Sequence, residues 1–296
     1  MQDTFMLDEV IKPMPFHILS SNHDMTNDEF KLFKLLVCNE SGIDLKPAKK
    51  AFLQNRIMKR MMAKGIKSYY SYYKLITGNG RDKDELLALL DSLTINETSF
   101  FRNKPQLDLF HRYVLPEILS RKRAKADFSL KIWSAGCSTG QEPYTIAMLL
   151  DDVIADIKYW KVAILATDLS MSVLKTARHG IYPEPKMEGV DEVHRRRYFI
   201  ERRGNFHVKD EVKKLIAFDF HNLIYDNRIT NIDVIFCRNV FIYFDAQTQR
   251  SVVERLYQRL APNGYIFTGH TESLQGLSKD LIFIHRNKGT VYQRKT

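Results

Sequence analysis

The sequence predicts an α/β protein with a mostly parallel sheet, preceded by a small all-α region and carrying a small antiparallel β insertion. Three observations predict it. Apolar residues recur at helical three- and four-residue steps as far as residue 93; short apolar runs then alternate with helical segments; and a basic strand–turn–strand pattern breaks that rhythm near residue 200.

In the first region Phe30, Phe33, Leu36 and Val37, and again Tyr69, Tyr72, Tyr73 and Ile76, carry the helical spacing, with Gly42, Gly65 and Gly78-Asn79-Gly80 as punctuation. A bundle of short helices over residues 27–93 follows. Beyond Arg121-Lys122-Arg123-Ala124-Lys125, strands are expected at 130–134, 162–167, 232–236 and 265–268, with helices at 142–154, 171–178 and 246–260 between them. Residues 281–285 and 290–293 flank the turn Asn287-Lys288-Gly289 and read as an antiparallel hairpin or edge strand. Arg195-Arg196-Arg197-Tyr198-Phe199-Ile200 and Phe206-His207-Val208, on either side of Arg202-Arg203-Gly204-Asn205, read as the β insertion. The expected division is therefore an extension at 1–24, a helical domain at 25–95, a linker at 96–128 and the α/β domain at 129–296, with the insertion at 193–220.

A chain of 296 residues with 44% apolar residues can bury a substantial core. Its first two dozen residues contain Asp3, Asp8, Glu9, Pro13 and Pro15 and do not read as a signal peptide; no run approaches the roughly eighteen apolar residues of a membrane span. A soluble, cytoplasmic protein is expected. Cys38, Cys137 and Cys237 are far apart, with no Cys-x-x-Cys, so neither a disulfide framework nor a metal site is expected. A formal charge of +10 predicts an acidic partner without choosing its kind.

Two features suggest a nucleoside ligand. Gly136-Cys137-Ser138-Thr139-Gly140 follows a strand and leads into a helix, where glycines admit close backbone approach and the helix start offers free N–H groups. The next strand ends in Asp168-Leu169, placing a carboxylate where it can accept from ribose hydroxyls. No phosphate-loop or dinucleotide signature accompanies them, so S-adenosylmethionine fits better than NAD.

Three segments go further: Ile95-Asn96-Glu97-Thr98-Ser99-Phe100-Phe101-Arg102, Ala135-Gly136-Cys137-Ser138-Thr139-Gly140-Gln141-Glu142-Pro143-Tyr144, and Phe236-Cys237-Arg238-Asn239-Val240-Phe241-Ile242-Tyr243-Phe244. With Gly269-His270-Thr271-Glu272, they resemble the signature segments of the CheR-type chemotaxis receptor glutamate O-methyltransferases, over a stretch from about residue 30 to the C-terminus. The resemblance implies a class I S-adenosylmethionine-dependent methyltransferase domain, Rossmann-like and with an antiparallel edge strand, behind a helical domain that recognises the receptor. It also implies that Asn96, Thr98, Arg102, Gly136, Glu142, Asp168, Leu169, Asn222, Leu223, Arg238 and Asn239 line the cofactor site, with Arg102 and Tyr243 facing the transferred methyl. One departure stands out: Gln141 occupies the first of two positions before Pro143 where the family commonly has acids.

The chemistry agrees with these assignments. Glutamate, with a reference pKa of about 4.3, is already an anionic nucleophile at neutral pH, so no general base is required. Carboxylate and sulfonium charges merge in the transition state, which favours a dry site and makes orientation the main contribution. Arg102 is then expected to position cofactor or substrate, because clamping a shrinking charge would stabilise the ground state more. The ring of Tyr243 suits a cation, and its hydroxyl suits an incoming carboxylate.

For the substrate, Lys49, Arg56 and Arg60 fall within about 40° of one another on a helical wheel and form a basic stripe suited to the acidic, helical receptor bundle. The loop around Arg203-Gly204 looks shorter than in relatives that tether to a receptor's C-terminal peptide, so independence from that tether is expected. A nucleic-acid methyltransferase would be expected to carry an Asn/Asp-Pro-Pro-aromatic segment, which is absent. The remaining alternative is a non-catalytic S-adenosylmethionine-binding sensor or adaptor.

Overall fold

The computed structural model describes residues 24–295. The extension expected at 1–24 therefore lies outside the described residues, except for Asp24. Helix α1 (Asn27–Ser41) begins where Thr26 and Glu29 form a reciprocal capping box and ends at Gly42, whose φ of +77° favours glycine. A single 3₁₀ turn at Pro47–Lys49 leads into α2 (Lys50–Ala63). Helices α3 (Tyr69–Thr77) and α4 (Lys83–Leu93) are capped by Ser68 and Asp82. Their apolar faces enclose one core around Phe33, Leu53, Ile57, Tyr72, Ile76 and Leu89.

At the edge of that core Glu85 is only 1% exposed, and it is fully partnered. It accepts two bonds from the Arg60 guanidinium at 2.8 and 2.6 Å and one from the Tyr72 hydroxyl at 2.7 Å. Arg60 therefore faces inward rather than extending the expected outward stripe. The spacing permits this, since Arg60 follows the buried Leu53 by seven residues and the buried Ile57 by three and so borders the buried face, and the buried Glu85 draws it in. Lys49, in the turn before α2, and Arg56 both lie over the Phe52 ring, at 5.8 and 5.1 Å from its centroid.

The stretch expected as a linker is largely helical: α5 (Lys104–Leu109), a π turn at Phe110–Val114 and α6 (Leu115–Arg123). Pro116 explains the wide turn. A proline inside a helix clashes with the carbonyl four residues back, and an extra residue per turn relieves the clash.

The α/β domain then runs β1 (Ser129–Ala135), α7 (Gln141–Val153), β2 (Lys161–Asp168), α8 (Met171–His179), β3 (Ile181–Pro183), α9 (Glu192–Tyr198), β4 (Phe199–Arg202), β5 (Asn205–Val208), α10 (Asp210–Lys213), β6 (Ile216–Phe220), β7 (Ile232–Cys237), α11 (Ala246–Arg259), β8 (Leu260–Thr268), β9 (Leu281–Arg286) and β10 (Gly289–Arg294). The seven-stranded sheet has the order β6-β2-β1-β7-β8-β10-β9. Strands β6, β2, β1, β7 and β8 are parallel, and the β9–β10 hairpin supplies the antiparallel edge, with β10 opposed to both its neighbours. Stacked Phe236 and Phe267 rings, 4.8 Å apart with Phe110 against them, fill the centre beneath the linker helix.

The insertion differs from its expected bounds of 193–220. Its three-stranded sheet, β3-β5-β4, takes its first strand from residues ahead of that range, while β6 at the end of the range pairs with β2 in the main sheet. Strand β6 alternates half-buried and exposed residues, as an edge strand does, which makes it look like the neighbouring hairpin in sequence. No helix among the described residues is long and apolar enough to cross a membrane.

Candidate active site

The chain leaves β1 for β2 and β6 on one side and returns to β7 on the other, so the sheet order reverses between β1 and β7. A crevice outside the strand ends is expected at such a switch point. One is present. It is lined from the helical domain by Ser41, Ile43 and Leu93 and from the α/β domain by the loops after β1, β2, β6 and β7. All twelve residues expected at the cofactor and methyl positions border it: Asn96, Thr98, Arg102, Gly136, Glu142, Asp168, Leu169, Asn222, Leu223, Arg238, Asn239 and Tyr243. Lys49, Arg56 and Arg60 do not.

The turn after β1 is tightly held. The Gly136 and Cys137 N–H groups both donate to the Thr167 carbonyl, at 2.8 and 2.9 Å. Gly136 has φ +85°, and a Cβ there would lie 2.5 Å from Val240, so glycine lets the β1 and β7 loops meet. Asp168 accepts from the Ser138 N–H at 2.8 Å with one carboxylate oxygen and from the Ser170 N–H at 2.9 Å with the other. Burial pushes its carboxyl above the ordinary value of 3.8, although these two N–H groups oppose the shift. Each oxygen has capacity for a further donor at the cavity wall.

Across the crevice, the buried Arg238 holds several segments together. Its guanidinium donates to Gln106 Oε1 at 3.1 Å, Glu142 Oε2 at 3.1 Å and the Arg102 carbonyl at 2.7 Å. The other oxygen of Glu142 accepts from the Ser134 hydroxyl at 2.7 Å. Arg102 sits between Phe101, whose φ of +52° is rare for an aromatic residue, and Asn103, whose φ of +61° asparagine tolerates, and its side chain donates to the Glu97 carbonyl at 2.8 Å. Tyr243 ends a 3₁₀ turn and approaches the Ile95 carbonyl at 3.4 Å; burial pushes its phenol up. Asn222 donates to the Glu40 carbonyl at the end of α1, at 2.7 Å.

Sequence reasoning missed several contributors. Gln106, whose amide donates to the Thr268 carbonyl at 2.7 Å, acts through a main-chain contact that no local pattern announces, while Ser138, within the expected glycine turn, adds a hydroxyl that donates to the Asn96 carbonyl at 3.1 Å. His221, whose imidazole is pushed below its usual value by burial, borders the crevice, with the Trp133 ring 5.8 Å from its own. Ser41 and Ile43 come from a domain expected to bind the substrate only.

Residues 96–290 match the family model described as "CheR methyltransferase, SAM binding domain", and residues 28–94 match the one described as "CheR methyltransferase, all-alpha domain". The chain belongs to the CheR methyltransferase family. Among its CheR-family relatives, the chemotaxis protein methyltransferase of Borreliella burgdorferi is 35% identical over 271 residues, covering 89% of this chain and 94% of the relative. Chemotaxis protein methyltransferase 1 of Pseudomonas aeruginosa is 33% identical over 276 residues, covering 91% and 98%.

The crevice fits the cofactor of a CheR methyltransferase. Asp168 keeps unused acceptor capacity for a diol, and Leu169, Leu223 and Ile95 offer apolar surface for a base. The lining holds three carboxylates, Glu97, Glu142 and Asp168, against two guanidinium groups, Arg102 and Arg238. The one negative charge in excess matches the single net positive charge of S-adenosylmethionine.

Proposed function

We propose that this protein transfers the methyl group of S-adenosylmethionine to glutamate side chains of methyl-accepting chemotaxis receptors, in the cytoplasm, giving glutamate methyl esters by direct in-line transfer. The carrying observation is a single crevice, in a chain of the CheR family, whose wall holds Asp168, Arg102 and Tyr243 together.

When bound, the cofactor supplies an electrophilic methyl group on a sulfonium sulfur. The residues have the following proposed roles. Asp168 grips the ribose hydroxyls, while Leu169 and Leu223, with Asn222 held against α1, bound the base. Asn96, Thr98 and the Glu142–Arg238 pair shape the opposite wall, with Arg238 fixing the main chain of Arg102. Arg102 orients rather than neutralises, since pairing with a carboxylate whose charge shrinks would favour the ground state; its bond to the Glu97 carbonyl helps to place the guanidinium. The Tyr243 ring faces the sulfonium methyl, and its hydroxyl steers the incoming carboxylate. No side chain needs to remove a proton, because the nucleophile is ionised at neutral pH.

Receptor recognition is assigned to the face of the helical domain that carries Lys49 and Arg56 around Phe52; Arg60 is committed to Glu85. An acidic helical bundle presenting glutamates complements that face. Methylation independent of a C-terminal peptide tether is supported by the hairpin between β4 and β5. Its turn is Arg203-Gly204, with φ of +51° and +71°, two residues in the mirror-image turn that closes minimal hairpins.

The test is incubation with labelled S-adenosylmethionine and receptor cytoplasmic fragments. Base-labile label on glutamate-containing peptides, equal with and without the receptor's C-terminal tail, is expected. Cofactor binding with no carboxyl methyl ester on any fragment would support the sensor alternative instead.

A further inference from the structure

The loop that carries Asn239 and Tyr243 has a support outside the crevice. Strand β7 ends at Cys237, and the chain then turns through Asn239, at φ +60°, into the 3₁₀ turn Phe241–Tyr243. Such a turn leaves backbone N–H groups without helical partners. In this protein a carboxylate from the loop after β8 meets them. Oε2 of Glu272 accepts from the Asn239 N–H at 2.8 Å and the Gly269 N–H at 2.6 Å, and Oε1 accepts from the Ile242 N–H at 3.2 Å.

The supporting side chain is itself fixed. The Glu272 N–H donates to the Gly269 carbonyl at 2.9 Å, and its carbonyl accepts from the Thr268 hydroxyl at 3.1 Å. Gly269 makes the approach possible, for a Cβ there would lie 2.7 Å from Oε2 and 2.8 Å from the Asn239 side chain. Glu272 does not border the crevice, whereas Asn239, Ile242 and Tyr243 do.

We infer that Glu272 is a positioning residue: its carboxylate ties the β7 and β8 loops together and sets the placement of Asn239 and Tyr243. The inference rests on the reading of the crevice as the S-adenosylmethionine site. A carboxylate accepts from all three N–H groups, whereas an amide in its place turns an NH₂ group towards at least one of them. Losing a charge-assisted bond that holds this half-buried loop should change affinity by about tenfold.

The experiment compares the wild type with Glu272→Gln and Gly269→Ala. It measures S-adenosylhomocysteine binding by calorimetry, kcat and KM on a receptor fragment, and the thermal midpoint, and adds a double-mutant cycle with Tyr243→Phe. Expected are a roughly tenfold loss of S-adenosylhomocysteine affinity in both single variants and a kcat reduced by about as much for Glu272→Gln. In the Tyr243→Phe background the kcat effect of Glu272→Gln should shrink to within about twofold, because coupled residues are not additive. Unchanged binding and kcat with only a lower midpoint, or fully additive losses, would overturn the inference. Binding does not need the receptor, so a wild type that binds S-adenosylhomocysteine but methylates no fragment sinks the receptor reading, and the binding losses then decide on Glu272. A wild type that does not bind S-adenosylhomocysteine overturns both.

Discussion

Asp168 is the side chain on which the cofactor assignment turns. It is buried, it accepts from the Ser138 and Ser170 N–H groups, and its carboxylate has lone pairs left for a ligand in the crevice it borders. Asp168→Asn should weaken S-adenosylhomocysteine binding by about ten- to a hundredfold, the range for a lost hydrogen bond to a charged group. Calorimetry measures it. The pH dependence follows from the direction of its shift. Its carboxyl is raised above 3.8 in the folded protein, so lowering the pH protonates it before a free aspartate would protonate. Ligand affinity should fall over that interval, and this part of the fall should vanish in Asp168→Asn. For folding the sign is opposite: stability from this group is fully present below 3.8 and lost as pH rises through its raised value. Much of this residue was readable beforehand, because an acid ending the strand next to a glycine turn has a positional meaning. Arg238, Asn96 and Asn222 were readable only by family resemblance. Gln106, Ser138 and Glu272 had no readable role, since their partners are backbone groups brought near by the fold.

At the scale of elements, α2 separates two kinds of basic residue that the sequence presents alike. Lys49 and Arg56 surround Phe52, whereas Arg60 closes over Glu85, which is 1% exposed. Arg60→Ala should cost about 3 kcal/mol of stability in urea titration, at the low end for breaking a buried pair because the arginine itself is partly exposed. Lys49→Ala and Arg56→Ala should leave stability within about 0.5 kcal/mol, as surface changes do, while raising KM for a receptor fragment and leaving S-adenosylhomocysteine affinity unchanged. The helical periodicity was plain from sequence, but the inward turn of Arg60 was not. Its position on the wheel borders both faces, and only the buried Glu85, 25 residues away, decides between them. The assignment of β6 to the main sheet was hidden for a similar reason, since it depends on pairing with β2, distant in sequence; the π turn before Pro116 has a local cause that helical periodicity alone does not show.

At the scale of the molecule, the helical domain forms part of the crevice wall. The Asp44 N–H donates to the Tyr243 carbonyl at 2.8 Å, Ile43 bridges to Phe244, and the Asn222 side chain reaches the Glu40 carbonyl. Gly42 lies at this junction with φ +77°, and a Cβ there would stand 2.7 Å from Ile224. Gly42→Ala should therefore reduce S-adenosylhomocysteine affinity at least tenfold in calorimetry, although the residue makes no chemistry of its own. The helical and α/β regions were separable in sequence as two patterns; their shared wall was visible only once folded. The central claim is that this wall encloses the cofactor with Asp168 at the ribose and Tyr243 at the reacting end. A crystal structure with S-adenosylhomocysteine tests it most directly. Both ribose hydroxyls should lie on the Asp168 carboxylate, with the sulfur facing Tyr243 and Arg102; a ligand lying away from Gly136 and Asp168 would overturn this placement.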